Sequence, residues 1–132
     1  MSAVQWHRVC RADQVRPDRG VAALAGDPAE EPDMVAIFRL GAVNDDHPEQ
    51  WWAVDHTDPV TGAAVMARGL VGSADSTPTV SSPIGKERYD LRTGKPVVGS
   101  GPALAVWPIR LVDGHVEVGA PSADSETQRT EQ

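Results

Sequence analysis

Hydrophobic residues along this chain occur in short runs that are interrupted every few positions by turn residues. Twelve glycines and eleven prolines are spread over the 132 residues, and no segment carries apolar residues at helical spacing over three turns. Short runs of this kind, separated by turn signals, are typical of an all-β sandwich or barrel. The pattern predicts at most one helical turn, over residues 12–15. It predicts strands over residues 4–10, 21–25, 35–40, 51–55, 79–82, 87–91, 103–112 and 115–118.

Two connections have the residues that a specific turn requires. Asp113-Gly114 lies between apolar runs and predicts a hairpin, because a type I′ turn needs positive φ at both central residues. This hairpin is expected to direct Leu111, Val116 and Val118 towards one core. Gly94 ends another run and is predicted to be left-handed, so Gly94→Val should destabilise the fold by about 1–2 kcal/mol or more.

The length fits one domain, which we expect to cover residues 1–118. Two acidic connections that contain proline, GDPAEEPD at 26–33 and VNDDHPEQ at 43–50, are predicted to be exposed hairpin tips. From residue 119 onward the sequence has no large apolar residue. Residues 119–132 are therefore predicted to form a disordered acidic tail.

The charge and the single cysteine exclude several functional classes. A net charge of −7 and a pI near 4.9 argue against nucleic acid or an anionic membrane as a partner. One cysteine, Cys10, cannot form an internal disulfide, a CxxC zinc site or a cysteine-ligated iron–sulfur cluster within one chain. We interpret it as a small buried hydrophobe rather than a reactive thiol. No secretory leader and no run of 18 apolar residues is recognisable, which favours the cytoplasm.

Common catalytic motifs are absent: the chain has no GxSxG, no GxxxxGK[ST] and no HExxH. Asp55, His56 and Asp58 lie close together in sequence and could hold a cation or perform acid–base chemistry. Ordinary turn chemistry before Pro59, with carboxylates accepting backbone N–H groups, is the alternative interpretation.

Adjacent tryptophans lie on one predicted strand. Trp51 and Trp52 must point to opposite faces of that strand. We expect one in the core and the other packed under a loop or exposed as an interface anchor.

Two longer segments carry a family resemblance. They are WAVDHTDPVTGAAVMARGLVG at residues 52–72 and VSSPIGKERYDLRTG at residues 80–94. Their spacing resembles a Rieske-type ferredoxin domain, in which two hairpin loops hold a [2Fe–2S] cluster. The resemblance implies an antiparallel β-sandwich or barrel of the Rieske type with two loop hairpins. Tyr89-Asp90-Leu91-Arg92-Thr93-Gly94 matches the family's stretch after the second loop.

The residues that bind iron in that family are replaced in this chain. A Rieske centre needs two thiolates on one iron and two imidazoles on the other. The matching positions are Asp58 and Val60 in the first loop and Ser82 and Gly85 in the second. None of them is Cys or His, so we predict a Rieske scaffold that binds no cluster, with no metal ligand and no catalytic residue of its own.

A Rieske scaffold without ligands is similar to the small subunits of bacterial NAD(P)H-dependent nitrite reductases. That resemblance implies a large-subunit partner with flavin (FAD), a [4Fe–4S] cluster and sirohaem, and a complex that reduces nitrite to ammonium in nitrate assimilation. We expect the small subunit to dock on the large one or stabilise it. The expected docking surface comprises residues 58–62 and 82–88, with Asp58, Gly62, Arg68, Lys86 and Arg88 as its main residues.

Two other functions remain open from the sequence. The same scaffold could be a stand-alone protein-binding or regulatory module. An enzyme using Asp55, His56 and Asp58 is the third hypothesis, although adjacent residues on one loop rarely supply a complete catalytic set. The sequence leaves open NADH against NADPH, the oligomeric state, the role of the acidic loops, and whether the chain affects turnover or only assembly.

Overall fold

The computed structural model describes residues 5–25, 33–46, 48–74 and 76–119. The acidic stretch 26–32, His47 and residues 120–132 lie outside the described residues, so the predictions for the first acidic tip and the tail remain predictions. Two 3₁₀ turns, Ala12–Gln14 and Met66–Arg68, are found among the described residues. The strands are β1 Trp6–Arg11, β2 Arg19–Ala25, β3 Asp33–Leu40, β4 Gln50–Asp55, β5 Leu70–Ala74, β6 Thr77–Ser81, β7 Arg88–Asp90, β8 Pro96–Val98, β9 Val106–Trp107, β10 Ile109–Val112 and β11 His115–Gly119.

The strands form three antiparallel sheets. Their orders are β1-β11-β10, β2-β3-β4-β9 and β5-β6-β7-β8. The predicted all-β fold is thus confirmed. Gly119, placed in the tail by the sequence, instead ends β11 and pairs with Trp6.

The central sheet is buried on both faces. Along β3, Val35 and Ile37 pack into one hydrophobic cluster while Ala36 and Phe38 pack into another, as alternation along a strand requires. The first cluster includes residues of β11, and the second includes residues of β6 and β7. The β2-β3-β4-β9 sheet therefore lies between the other two sheets.

The tryptophan prediction is partly right. Trp51 packs on the first cluster and Trp52 on the second, so the two rings do point to opposite faces. Neither is fully buried, in contrast to the expected core position. Each indole N–H remains near the surface and donates to a neighbouring side chain, Glu49 Oε2 at 3.0 Å and Gln50 Oε1 at 3.1 Å.

Both predicted turns have the expected backbone. Asp113 and Gly114 have φ values of +51° and +75° between the paired strands β10 and β11, and Gly94 has φ +80°. Leu111 does not reach the core as expected. It lies on the edge strand β10 and remains 45% exposed, whereas Val116 on the inner strand β11 is buried.

Three strand assignments needed correction. The predicted run 103–112 is two short strands in different sheets, because Pro108 cannot donate a ladder hydrogen bond and separates β9 from β10. Strands β5 and β8 were not predicted. They are the two edges of the third sheet, where exposed side chains weaken the hydrophobic alternation.

Candidate functional site

The first matching loop, called loop 1 here, comprises residues 57–64 and follows β4. Its ends are bridged between Thr57 and Ala64, and the Gly62 N–H donates to the Asp58 carbonyl oxygen at 2.8 Å. Gly62 has φ +78°, a conformation that costs glycine little. The Asp58 carboxylate turns inward and its Oδ1 accepts the backbone N–H of Val60 at 2.8 Å and of Thr61 at 3.3 Å. Asp58 therefore organises the turn that follows it.

The second matching loop, loop 2, comprises residues 82–87 and joins β6 to β7. The Ser82 N–H donates to the Glu87 carbonyl oxygen at 3.0 Å, which closes the loop at its base. The Ser82 hydroxyl oxygen accepts the N–H groups of Gly85 at 3.2 Å and of Ile84 at 3.4 Å. Ser82 thus has the same local function in loop 2 that Asp58 has in loop 1.

A single buried hydrogen bond connects the two loops. The Ser82 hydroxyl donates to Asp58 Oδ2 at 2.5 Å, and the two residues are 6% and 0% exposed. Burial alone would raise the pKa of Asp58, but hydrogen bonds from Ser82, Val60 and Thr61 outweigh it and lower the pKa. Asp58 is therefore an anion at neutral pH, held by donors from both loops.

This arrangement does not fit a Rieske cluster. Asp58 and Ser82 hydrogen-bond to each other, and the Val60 and Gly85 positions have no side-chain atom that could bind iron. Cys10 lies in β1, outside both loops, and is half-buried. Burial raises the pKa of its thiol, which agrees with an inert residue.

Asp55, His56 and Asp58, the alternative acid–base or metal site, each make a different structural hydrogen bond. Asp55 Oδ1 accepts the Trp107 indole N–H at 2.7 Å, and His56 Nδ1 accepts the Ala67 backbone N–H at 3.1 Å. Burial, reinforced by the nearby Arg68 charge, lowers the pKa of His56, so its imidazole is neutral at neutral pH. Among the described residues, no three His, Cys, Asp or Glu side chains group as metal ligands would.

Each of the two loops exposes one large apolar side chain. Val60 in loop 1 is 47% exposed and Ile84 in loop 2 is 55% exposed. A third segment, residues 99–101, lies beside them. A Cβ on Gly101 would be 3.0 Å from Val60 Cγ2, and one on Gly99 would be 2.8 Å from Glu87 Cγ. Sequence reasoning missed this segment, although the run Gly-Ser-Gly-Pro is itself a strong loop signal.

Three cations lie at this same end of the molecule, which we call the loop end. Lys86 is in loop 2, Arg88 begins β7 directly after it, and Arg68 precedes β5, whose first residue pairs with Ser81. All three are exposed. Within the part of the chain that the structure describes, none of them forms an ion pair. The loop end is thus apolar and basic in an acidic chain.

Tyr89 is buried close to the two loops. It is fully buried, and its hydroxyl has no hydrogen-bond partner among the described residues. Burial, together with the negative charges of Asp58 and Glu87, raises the pKa of Tyr89 to about 12. The phenol is therefore neutral at physiological pH.

The predicted docking residues thus take different positions. Gly62, Arg68, Lys86 and Arg88 are exposed, but Asp58 is fully buried and cannot touch another protein. A cleft of about 370 Å³ lies away from the loops, and Asp18, Leu40, Val43, Asn44, Val71 and Pro78 are among its lining residues. The described residues include no helix that could cross a membrane.

Comparison with known proteins identifies the scaffold. The model of the Rieske-like [2Fe-2S] domain matches residues 5–119. The small subunit of the Escherichia coli K12 nitrite reductase (NADH) is 32% identical over 114 residues, which are 86% of this chain and 96% of that protein. A nitrite reductase [NAD(P)H] large subunit from Klebsiella oxytoca is 33% identical over 114 residues, 86% of this chain but only 11% of that protein.

A solved structure supports the same assignment. The crystal structure of a Mycobacterium tuberculosis protein, described as an NADH-dependent nitrite reductase small subunit, matches with a TM-score of 0.77 at 33% identity. The match covers 92% of this chain and 100% of that one. This chain therefore belongs to the Rieske-like [2Fe-2S] domain family and, within it, to the nitrite reductase small subunits.

Proposed function

We propose that this chain is the small accessory subunit of a cytoplasmic NAD(P)H-dependent nitrite reductase, which reduces nitrite to ammonium in nitrate assimilation. Its partner is the large subunit, to which we assign the FAD, the [4Fe–4S] cluster and the sirohaem. The Klebsiella oxytoca relative supports this partnership, because a similar stretch there is 11% of a protein named as a large subunit. In that relative, the stretch similar to this chain belongs to the large-subunit polypeptide itself.

The buried Asp58–Ser82 hydrogen bond is the observation that carries the proposal. It joins the two loops at the positions where a Rieske protein would bind iron, and it leaves their outer residues exposed. A loop pair that has lost its metal ligands and remains ordered fits a binding role rather than electron transfer. The chain then contributes no electron carrier to the complex.

The proposed docking surface is the loop end, with residues 58–62 and 82–88 at its centre. Val60 and Ile84 supply apolar contact, and Arg68, Lys86 and Arg88 supply unpaired positive charge. Asp58 and Ser82 take no direct part in the contact and hold the loops in place. Apolar contact surrounded by complementary charge is a common arrangement at protein interfaces.

Co-purification with the large subunit tests the partnership. The tagged chain is expected to elute with a larger protein that shows flavin and sirohaem absorption, and nitrite reduction is measured with and without the chain. A colourless chain that elutes alone from nitrate-grown cells expressing the reductase would contradict the proposal. That result would favour a stand-alone binding module on the same scaffold.

Matched charge reversals test the docking surface. The triple variant Arg68→Glu, Lys86→Glu and Arg88→Glu should weaken the complex, and added salt, which weakens wild-type binding by screening the attraction, should no longer weaken that of the variant. The control reverses Arg16 and Lys95, two exposed cations outside both loops that form no ion pair in the described part of the chain, and it is compared with the double reversal Lys86→Glu and Arg88→Glu. Equal effects of the two double variants would place the docking surface elsewhere.

A further inference from the structure

One row of side chains crosses the whole outer face of the third sheet. Leu70 pairs with Ser81, Ser81 with Arg88, and Arg88 with Val98, so the four residues lie side by side on four strands. Directly opposite residues in an antiparallel sheet share one face. Leu70 is 77% exposed and Val98 is 49% exposed, which leaves Arg88 between two exposed apolar side chains.

The neighbouring part of the same face is closed by internal contacts. There, Gly72, Thr79 and Asp90 lie opposite one another, and Asp90 accepts two hydrogen bonds from the Arg92 guanidinium. Arg92 also donates to Thr77 Oγ1 at 3.3 Å. The positive charge of Arg92 is therefore neutralised by Asp90 within the chain.

Arg88 differs from Arg92 in this respect. Its Nε donates to Ser81 Oγ at 3.2 Å, and no carboxylate contacts it within the described parts of the chain. The four other N–H donors of a guanidinium remain available, in the fork geometry that suits a carboxylate. Arg88, held by the Ser81 hydroxyl and flanked by the apolar side chains of Leu70 and Val98, thus forms a binding site for one acidic group.

The row is continuous with the loop end. Ser81 immediately precedes loop 2 and Arg88 immediately follows it. In β8 the pairing shifts by one residue, so Val97 is an extra residue beside Val98, and both are about half exposed. The chain then enters residues 99–101, which contact Glu87 and Val60.

We propose that this row, Leu70–Ser81–Arg88–Val98, is a second contact with the large subunit and binds a carboxylate side chain flanked by apolar residues. The inference rests on the proposed function and extends its docking surface from the loops to the outer face of the sheet. Charge complementarity is the argument for the occupant. An unpaired arginine in a chain of net charge −7 selects an acidic group rather than a basic one.

The test is the affinity of the purified small subunit for immobilised large subunit. The double variant Leu70→Asp and Val98→Asp should bind at least tenfold more weakly, because both changes bring negative charge to the proposed carboxylate site. The control variant Val43→Asp and Leu111→Asp changes residues that are 81% and 45% exposed and lie outside the row. It should bind like the wild type.

Arg88→Gln provides a second measurement that leaves the apolar residues in place. It should weaken binding and reduce the dependence of affinity on salt. Unchanged binding of both row variants, with the wild type binding and the double variant Arg68→Glu and Lys86→Glu weakened, would overturn this inference and remove Arg88 from the docking surface, but it would leave the partnership with the large subunit intact. Failure of the wild-type chain to bind the large subunit would instead overturn the proposed function.

Discussion

The two ends of the third sheet differ in where their polar groups find partners. At the end formed by residues 91–95, Arg92 binds Asp90 and Gly94 is buried against the Leu104 carbonyl group. At the loop end, Lys86 and Arg88 have no carboxylate partner among the described residues, and Val60 and Ile84 are exposed. The polar groups of the first end are satisfied within the chain. Apart from the buried Asp58–Ser82 hydrogen bond, the loop end keeps exposed apolar and basic side chains, which our proposal assigns to contact with the large subunit.

Substitution of Gly94 should disrupt the end formed by residues 91–95 and should give the largest loss of stability. In Gly94→Ala the new Cβ would overlap the Leu104 carbonyl oxygen, at a φ of +80° that already disfavours L side chains. We expect a loss of about 3 kcal/mol in the free energy of unfolding, from backbone strain and overpacking together. Urea unfolding measures this loss.

Gly114→Ala is the matched control. Its φ of +75° is similar, but a Cβ there would meet no atom within 4 Å. It should cost only about 1 kcal/mol, from the backbone conformation alone. Equal losses in the two variants would mean that contact with Leu104 contributes nothing.

Removal of the Ser82 hydroxyl should have an intermediate effect and should act at the loop end. Ser82→Ala leaves the buried Asp58 carboxylate without its side-chain donor from loop 2. We expect about 2 kcal/mol of lost stability, the usual cost of leaving a buried polar group poorly paired, together with weaker binding to the large subunit. Ser81→Ala is the control for stability, because among the described residues its hydroxyl hydrogen-bonds only to exposed Arg88, and it should change stability by under about 0.5 kcal/mol.

The same hydrogen bond predicts a pH dependence in acid. The folded-state pKa of Asp58 is lowered, so its contribution to stability is present above the ordinary aspartate pKa and is lost as the pH falls through the folded value. The difference in unfolding free energy between wild type and Asp58→Asn should therefore shrink as the solution is acidified below about pH 4. A difference that stays constant down to strongly acidic pH would contradict the role of the charge.

Tyr89→Phe should give the smallest effect, with the opposite sign. The buried hydroxyl has no partner among the described residues, so its removal should raise stability by up to about 1 kcal/mol. In the wild type the folded pKa is raised from 10.0 to about 12. Between these values the unfolded chain loses its proton first, so stability falls as the pH rises.

The ionisation of Tyr89 can be followed by absorbance in the intact chain. Tyr89 is the single tyrosine of the chain, so tyrosinate absorbance reports its ionisation without interference from another phenol. The Phe variant should lack the loss of stability between pH 10 and 12 that is assigned to this residue. An alkaline loss of equal size in both proteins would place its cause elsewhere.

Most of the scaffold could be predicted from the sequence because its signals are local. Short apolar runs bounded by turn residues located β3 and β4, and Asp113-Gly114 located a hairpin. Strands β5 and β8 were missed because an edge strand has partners on one side only, and Leu70, Val97 and Val98 are exposed rather than alternately buried.

The sequence could predict which residues form the candidate site, but not how those residues contact one another. The family resemblance located Asp58 and Ser82 at two former ligand positions, and turn chemistry accounts for the backbone groups each one binds. Their mutual hydrogen bond joins residues 24 apart in sequence, and nothing in the local pattern requires it. The row Leu70–Ser81–Arg88–Val98 likewise depends on strand register across four strands, which single-sequence patterns do not fix.

The hydrogen bond between the two loops also affects how the protein is made. In a loop pair held together by a metal, the ordered shape is coupled to binding of that metal. Here the connection is made by two side chains of the chain itself, so folding alone completes it. Because no metal ion takes part in this hydrogen bond, its formation does not depend on the supply of iron.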